Sequence, residues 1–320
     1  MKAIVVREYG EAGVMQLEEV PNLSPNGKQV LVRIKAAGVN PVDTYVRQGT
    51  HASTPELPFT PGKDAAGIVE EIGESISKVK NGDRVYLAGS ATGTYAEFAL
   101  CNENQIWKLP ENTTFEQGAG VFVPYATAYR GLVQKAKPQK GEMVLIHGAS
   151  GAVGIAAVQW AKNLGLKIIG TASSDEGRNL VKQQGAEFVF DHSKENYLDE
   201  ILESTNGKGV DVILEMLANV NLTKDFHVLA KFGRIIVIGS RGSLEFDPRL
   251  TMGKDAAILG MALFNAMPED FEGIHSAIFN GLNQSYLAPI IGKTFPLNKA
   301  VDAHCEIVEN KAFGKIVLLP

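Results

Sequence analysis

The residues of this chain best suited to chemistry are a run of glycines. In MVLIHGASGAVGIAAVQWAKNLG an apolar strand-like run enters a turn from Gly148 to Gly154 and passes directly into a helical pattern. Glycines there let the backbone approach a pyrophosphate, whose charge is favoured by the free N–H groups of the helix start. A glycine pattern alone is a weak signal. Its strand–turn–helix setting, followed by at least four further strand–helix pairs, makes dinucleotide binding the reading.

About 20 positions after such glycines, a fold that holds NAD usually carries an acid for the ribose 2′-hydroxyl. Here KIIGT runs into Ala172, Ser173 and Ser174. A 2′-phosphate is not repelled by Ala172, and Ser173, Ser174 and Arg178 can donate to it, so NADP(H) is favoured over NAD. Asp175 and Glu176 weigh mildly against this. They also read as the first turn of a helix capped by Ser174.

The elements that must position these residues follow from hydrophobic rhythm. From Met1 to about Pro124, short strand-like runs are broken by turn residues: KAIVVRE, QVLVRIKAAGV, AAGIVEEIG, DRVYLAG, YAEFAL and QIWKLP. From Lys140, apolar strands alternate with helices through MVLIH, KIIGT, FVF, DVILE, RIIVIG and AILGMALF, as in a doubly wound parallel sheet. Gly165, Gly185 and Gly233 each read as a left-handed cap between helix and strand. The expected fold is α/β: a β-rich domain over 1–124, a dinucleotide-binding domain over 125–264, and a return to the first domain over 265–320, closing with GKIVLLP.

Composition excludes several classes. With 320 residues, 45% hydrophobic and 21% charged, the chain is globular, and a net charge of −5 gives no footprint for nucleic acid or anionic membrane. Two cysteines make no disulfide framework, no apolar stretch reaches membrane-spanning length and no signal-peptide core opens the sequence, so the expected location is cytoplasmic. Of six histidines, His147 reads as a core or rim residue, His51 as a loop residue, and His227, His275 and His304 carry no motif. Cys101 reads as a small buried group, and no Ser/His/Asp or Cys/His constellation supports hydrolysis.

Taken together, AAGVNPVDTYVRQGT, PFTPGKDAAGIVE, GTYAEFA, VPYATAYRGL, VLIHGASGAVG, DHSKENY, EMLANVNLTKD, VIGSRG and GKIVLLP resemble the zinc-free quinone reductases of the medium-chain dehydrogenase/reductase superfamily over essentially the whole length. The resemblance implies a GroES-like catalytic domain, a Rossmann domain inserted before the final segment, NADPH in the cleft between them, and a homodimer or homotetramer. It implies that Tyr45 and Thr127 face the nicotinamide end and that Ser150, Gly151, Ala152 and Val153 contact the pyrophosphate. Ser173 and His192 would flank the adenosine, with Arg178 near the 2′-phosphate. Asn221, Ile238, Gly239, Ser240, Arg241, Met261, Ala262 and Leu263 would line the groove toward the carboxamide. Some relatives are reported to bind AU-rich RNA or to accumulate as lens structural proteins, a reading that the charge and the lack of RNA-binding aromatics support only weakly.

Zinc-dependent members of the superfamily carry metal ligands where this chain has Asn40, Lys63 with Asp64, and Pro124. Asn, Lys and Pro are not usual zinc ligands, so no metal is expected. Without a Lewis acid to stabilise an alkoxide, alcohols are poor substrates. A quinone or activated enone is already electrophilic and needs mainly positioning and a hydrogen-bond donor. Tyr45 and Asn40 are the expected catalytic donors; the alternative for Tyr45 is a ring that only packs against the nicotinamide.

Overall fold

The computed structural model describes residues 1–309 and 313–320. Its backbone divides into two compact units, Met1–Val123 with His275–Pro320, and Pro124–Ile274.

The first unit is built on antiparallel strands. β1 (Lys2–Val6) and β2 (Met15–Glu19) form a hairpin, followed by β3 (Gln29–Val39), β4 (Asp64–Ile72), β5 (Arg84–Ala88), β6 (Phe98–Asn102) and β7 (Ile106–Lys108). The eleven-residue β3 alternates polar and apolar side chains over Arg33–Lys35, as a half-buried strand must, then becomes wholly buried from Ala36 to Val39. It carries β4 along one side and β6 and the C-terminal strand along the other. Val30, Val32, Ile34, Val85, Leu87, Ile106 and Leu318 share one core cluster of this unit.

The second unit is a parallel sheet made from β8 (Met143–Ile146), β9 (Lys167–Thr171), β10 (Phe188–Phe190), β11 (Val210–Glu215), β12 (Leu229–Val237) and β13 (Ala257–Gly260). Their order is β10-β9-β8-β11-β12-β13, so the chain reverses its direction of travel between β8 and β11. Runs such as VLI in β8 and VILE in β11 are buried on both faces, as parallel strands covered by helices are. The last strands, β14 (Ile291–Pro296) and β15 (Lys315–Leu319), return to the first unit, where β15 pairs with β3.

Three local expectations are corrected. β2 and β14 were not expected, because MQLEE and IGKTFP bury little on either face and so lack an apolar rhythm. Gly233 is not a helix cap. The helix Ala218–Val228 passes straight into β12, and the left-handed residue is Phe232, with φ 65°. Gly233 is instead required by crowding, since a Cβ there would lie 2.6 Å from a Leu229 methyl carbon. Gly165 and Gly185 do take positive φ at helix ends, 71° and 127°.

Candidate cofactor and active site

Each expected cofactor residue beyond Thr127 in the second unit follows the carboxyl end of a parallel strand. Ser150–Val153 come after β8, Ser173 after β9, His192 after β10, Asn221 after β11, Ile238–Arg241 after β12 and Met261–Leu263 after β13. In open α/β sheets this is the ligand-binding edge, centred on the point where strand order reverses, here β8/β11.

The glycine turn has the geometry of a phosphate cradle. Gly148 has φ 58°, which favours glycine. A Cβ on Gly154 would lie 2.5 Å from both the Ala149 Cα and the Gly148 carbonyl oxygen, so only glycine lets the helix Ala152–Asn163 start this close to the strand. No side chain caps that helix at Gly151, which leaves its first amides to an incoming anion. These residues fit a dinucleotide pyrophosphate.

At the end of β9, Ala172 is buried and Ser173 half-buried, while Ser174 caps the next helix by accepting from the Gly177 amide at 3.1 Å. The Arg178 guanidinium donates to the Ala172 carbonyl at 3.2 Å and pairs with Asp175 and Asp191. It is fixed at the expected ribose end, but a 2′-phosphate there competes with two carboxylates. His192 lies exposed just beyond β10.

The far side of the switch point is held by short polar contacts. The Glu215 carboxylate accepts from the Leu217 amide and from Asn221 Nδ2, the latter at 3.2 Å. Asn219 Oδ1 accepts from the Arg241 amide at 2.8 Å, and Ser240 Oγ donates to the Gly242 carbonyl at 2.9 Å. A Cβ on Gly239 would sit 2.5 Å from the Met216 carbonyl oxygen, so the segment Ile238–Arg241 lies directly against the end of β11. Met261 and Leu263 are buried and Ala262 exposed. Thr127 is buried within the α-turn Thr127–Tyr129, between two stretches of π-helix, Phe122–Ala126 and Arg130–Ala136. π-helix is rare and frequent at functional positions.

In the first unit, Tyr45 lies in the helix Pro41–Gln48 and is half-buried. Its hydroxyl has no hydrogen-bond partner recorded among the described residues. Asn40, expected as a second donor, is placed differently. It is buried, its Nδ2 donates to Asp64 Oδ2 at 3.1 Å, and its Oδ1 accepts from the Lys315 ammonium at 2.5 Å. Asn40 thus commits its oxygen and one of its two amide N–H groups to this buried cluster, at the residue that precedes the Tyr45 helix.

Lys315 also donates to Asp64 Oδ2 at 2.6 Å, and the other Asp64 oxygen accepts from the Val123 amide at 3.0 Å. A buried charge is tolerated when paired and hydrogen-bonded in this way. Asp43 accepts from the Asn40 amide at 2.9 Å and from the Tyr95 hydroxyl at 3.1 Å. Burial pushes Asp43 up to about 6, against the opposing pull of the Asn40 amide and the Lys315 ammonium. Gly38 is required beside this cluster, where a Cβ would meet the Ala119 carbonyl oxygen at 2.0 Å and the Lys315 side chain at 2.5 Å.

Sequence reasoning did not single out Lys315, Asp43, Glu215 or Asp225 as site-forming. The available signal was a charged residue inside or beside an otherwise apolar strand: Lys315 opening KIVLL, Glu215 closing VDVILE.

The zinc-binding dehydrogenase family matches residues 152–280, and the alcohol dehydrogenase GroES-like domain family matches residues 26–111. Quinone oxidoreductase of Sus scrofa is 48% identical, covering 100% of this chain and 98% of its own length. Quinone oxidoreductase of Pseudomonas aeruginosa is 32% identical over 100% of this chain and 99% of its own. The crystal structure of Escherichia coli quinone oxidoreductase complexed with NADPH superposes with a TM-score of 0.91 at 28% identity, covering 100% of both chains. Whole-length identity and shared architecture agree: the chain belongs to the quinone oxidoreductase family of the medium-chain dehydrogenase/reductase superfamily.

Proposed function

We propose that this chain is an NADPH-dependent quinone reductase that works without a metal. The observation that carries this is the uncapped glycine cradle at the β8/β11 switch point, with the expected cofactor residues along the same edge of the sheet. When bound, the reduced nicotinamide supplies a hydride. The chain's own part is to bind and orient. The amides of Ser150, Ala152 and Val153 take the pyrophosphate, that of Gly151 being given to the Gly148 carbonyl at 3.0 Å; Ser173 and Arg178 take the 2′-phosphate, and the residues after β11, β12 and β13 the nicotinamide end. Tyr45 donates a hydrogen bond to the quinone oxygen as it gains charge, and solvent completes the hydroquinone with a proton. The metal-free reading rests on donor chemistry: Asn40, Lys63 and Pro124 are not zinc ligands, and the polar atoms of Asn40 and Asp64 are taken by Lys315 and the Val123 amide.

Similarity to the quinone oxidoreductases supports a quinone substrate, and the exposed edge strand β13 supports assembly into a homodimer or homotetramer. Among the described residues no helix is long and apolar enough to cross a membrane, and we place the protein in the cytoplasm on its lack of a disulfide framework. Comparing NADPH oxidation with an ortho-naphthoquinone and with an alkenal tests the substrate class. Faster turnover of the quinone is expected; reduction of the alkenal alone assigns the site to double-bond reduction instead.

A further inference from the structure

Beneath the cofactor edge lies a group of ionisable side chains that hydride transfer does not itself require. His147 directly follows β8, Glu215 ends β11, and Asp225 comes from the helix Ala218–Val228; all three are buried. His147 Nε2 lies 2.9 Å from Asp225 Oδ1 and 3.5 Å from Glu215 Oε2. Neither Glu215 Oε2 nor Asp225 Oδ2 has a hydrogen-bond partner among the described residues. Among the described residues, the Tyr197 ring also faces the two carboxylates.

Charge balance decides what closes this cluster. One imidazolium offsets one carboxylate, and the second carboxylate requires a proton or a cation. Tetrahedral zinc with nitrogen and oxygen ligands at about 2.0–2.2 Å holds its ligand atoms more than about 3.2 Å apart. The 2.9 Å contact of His147 with Asp225 is instead a hydrogen-bond length. A proton on Glu215 removes that second charge and leaves His147 paired with Asp225.

The cluster reaches both walls of the cofactor edge. Through its other oxygen, Glu215 accepts from the Leu217 amide and Asn221 Nδ2, and so acts as the cap that the helix Ala218–Val228 otherwise lacks. Through His147, whose Nδ1 lies 3.5 Å from Thr171 Oγ1, it meets the hydroxyl that accepts from the Gly148 amide at 3.2 Å.

We infer that Glu215 is a positioning residue that orients Asn221 toward the nicotinamide carboxamide, and that the protons held by Glu215 and His147, packed against Asp225, couple cofactor affinity to pH. The inference rests on the NADPH reading above. Burial, reinforced by Asp225, pushes Glu215 up to about 7, and although burial opposes it, the Asp225 and Glu215 charges hold His147 above its ordinary value. Glu215 therefore passes from protonated to ionised as pH rises through about 7, and His147 gives up its proton later than an ordinary imidazole does. The deprotonated cluster places uncompensated negative charge beneath a polyanionic cofactor, so affinity falls as pH rises.

The test is NADPH titration, followed by nicotinamide fluorescence from about pH 6 to about pH 9, on the wild type, Glu215→Gln, Glu215→Ala, Asn221→Ala and the double alanine variant. Wild-type Kd is expected to rise about tenfold across the range, the effect of a one-unit difference in pKa between the free and bound states. Glu215→Gln keeps the shape without the titration and is expected to flatten the profile while binding NADPH well. Each alanine variant is expected to weaken binding about tenfold, as loss of one polar contact does, and the double variant to be no weaker than Glu215→Ala. A wild-type slope retained in Glu215→Gln, additive alanine effects, or stoichiometric zinc in the wild type that Glu215→Gln loses would each overturn the inference. A wild type that binds NADPH with no pH dependence refutes this inference alone. One that binds no NADPH refutes the cofactor reading as well.

Discussion

Tyr45 and Asn40 stand five positions apart on one segment and do different work. Asn40 is locked between Asp64 and Lys315, whereas the Tyr45 hydroxyl has no recorded partner among the described residues and is half-buried. Tyr45→Phe keeps the ring and removes the donor. Its quinone kcat is expected to fall about tenfold with NADPH affinity unchanged; unchanged kcat would assign the ring to packing alone. Asp43, in the same buried cluster, gives a pH signature. Its folded pKa of about 6 lies above its ordinary 3.8, so its contribution to stability is fully present below about pH 4 and is lost as pH rises through 6. The cost is about 3 kcal/mol by pH 7. Denaturant unfolding of Asp43→Asn is expected to fall less steeply with pH than the wild type by about that amount, Glu215 supplying the remaining slope of the same sign. Identical slopes would place the Asp43 titration elsewhere.

At the scale of elements, the phosphate turn depends on how closely the helix Ala152–Asn163 approaches β8. Gly154→Ala puts a methyl 2.5 Å from the Ala149 Cα, which backbone cannot yield without moving the helix start. Expected are a loss of about 1–3 kcal/mol in stability, the cost of overpacking, and at least tenfold weaker NADPH binding. Thermal unfolding and NADPH titration check the two effects separately, and wild-type NADPH affinity would remove the turn from the site. This turn and the parallel strands were legible because apolar runs buried on both faces and a glycine turn opening a helix leave direct marks in sequence. β2 and β14 left none: among the described residues β2 pairs with β1 alone, and β14 is an edge strand ending in Pro296. Phe232 shows another limit. An exposed aromatic at φ 65° gives no local warning that the left-handed position is not Gly233.

At the scale of the whole molecule, the carboxyl edge of the parallel sheet could be read because each expected cofactor segment follows a strand that is itself recognisable. The buried charges of either unit could not. Lys315, Asp64, Glu215 and Asp225 belong to residue types that composition assigns to the surface, and only the fold brings Lys315 to Asn40 and Asp64 across the sequence. A charge of −5 likewise says nothing about the paired ions inside. Metal-free reduction by NADPH, as proposed, rests on the paired charges around Asn40 and Asp64 and on the missing acid after β9. Its most direct test is the oxidation of NADPH and of NADH by an ortho-naphthoquinone, using protein treated exhaustively with a chelator. The account predicts rapid NADPH oxidation undiminished by the chelator and much slower oxidation of NADH. No NADPH oxidation with any quinone, or activity lost on chelation and restored by zinc, would contradict it.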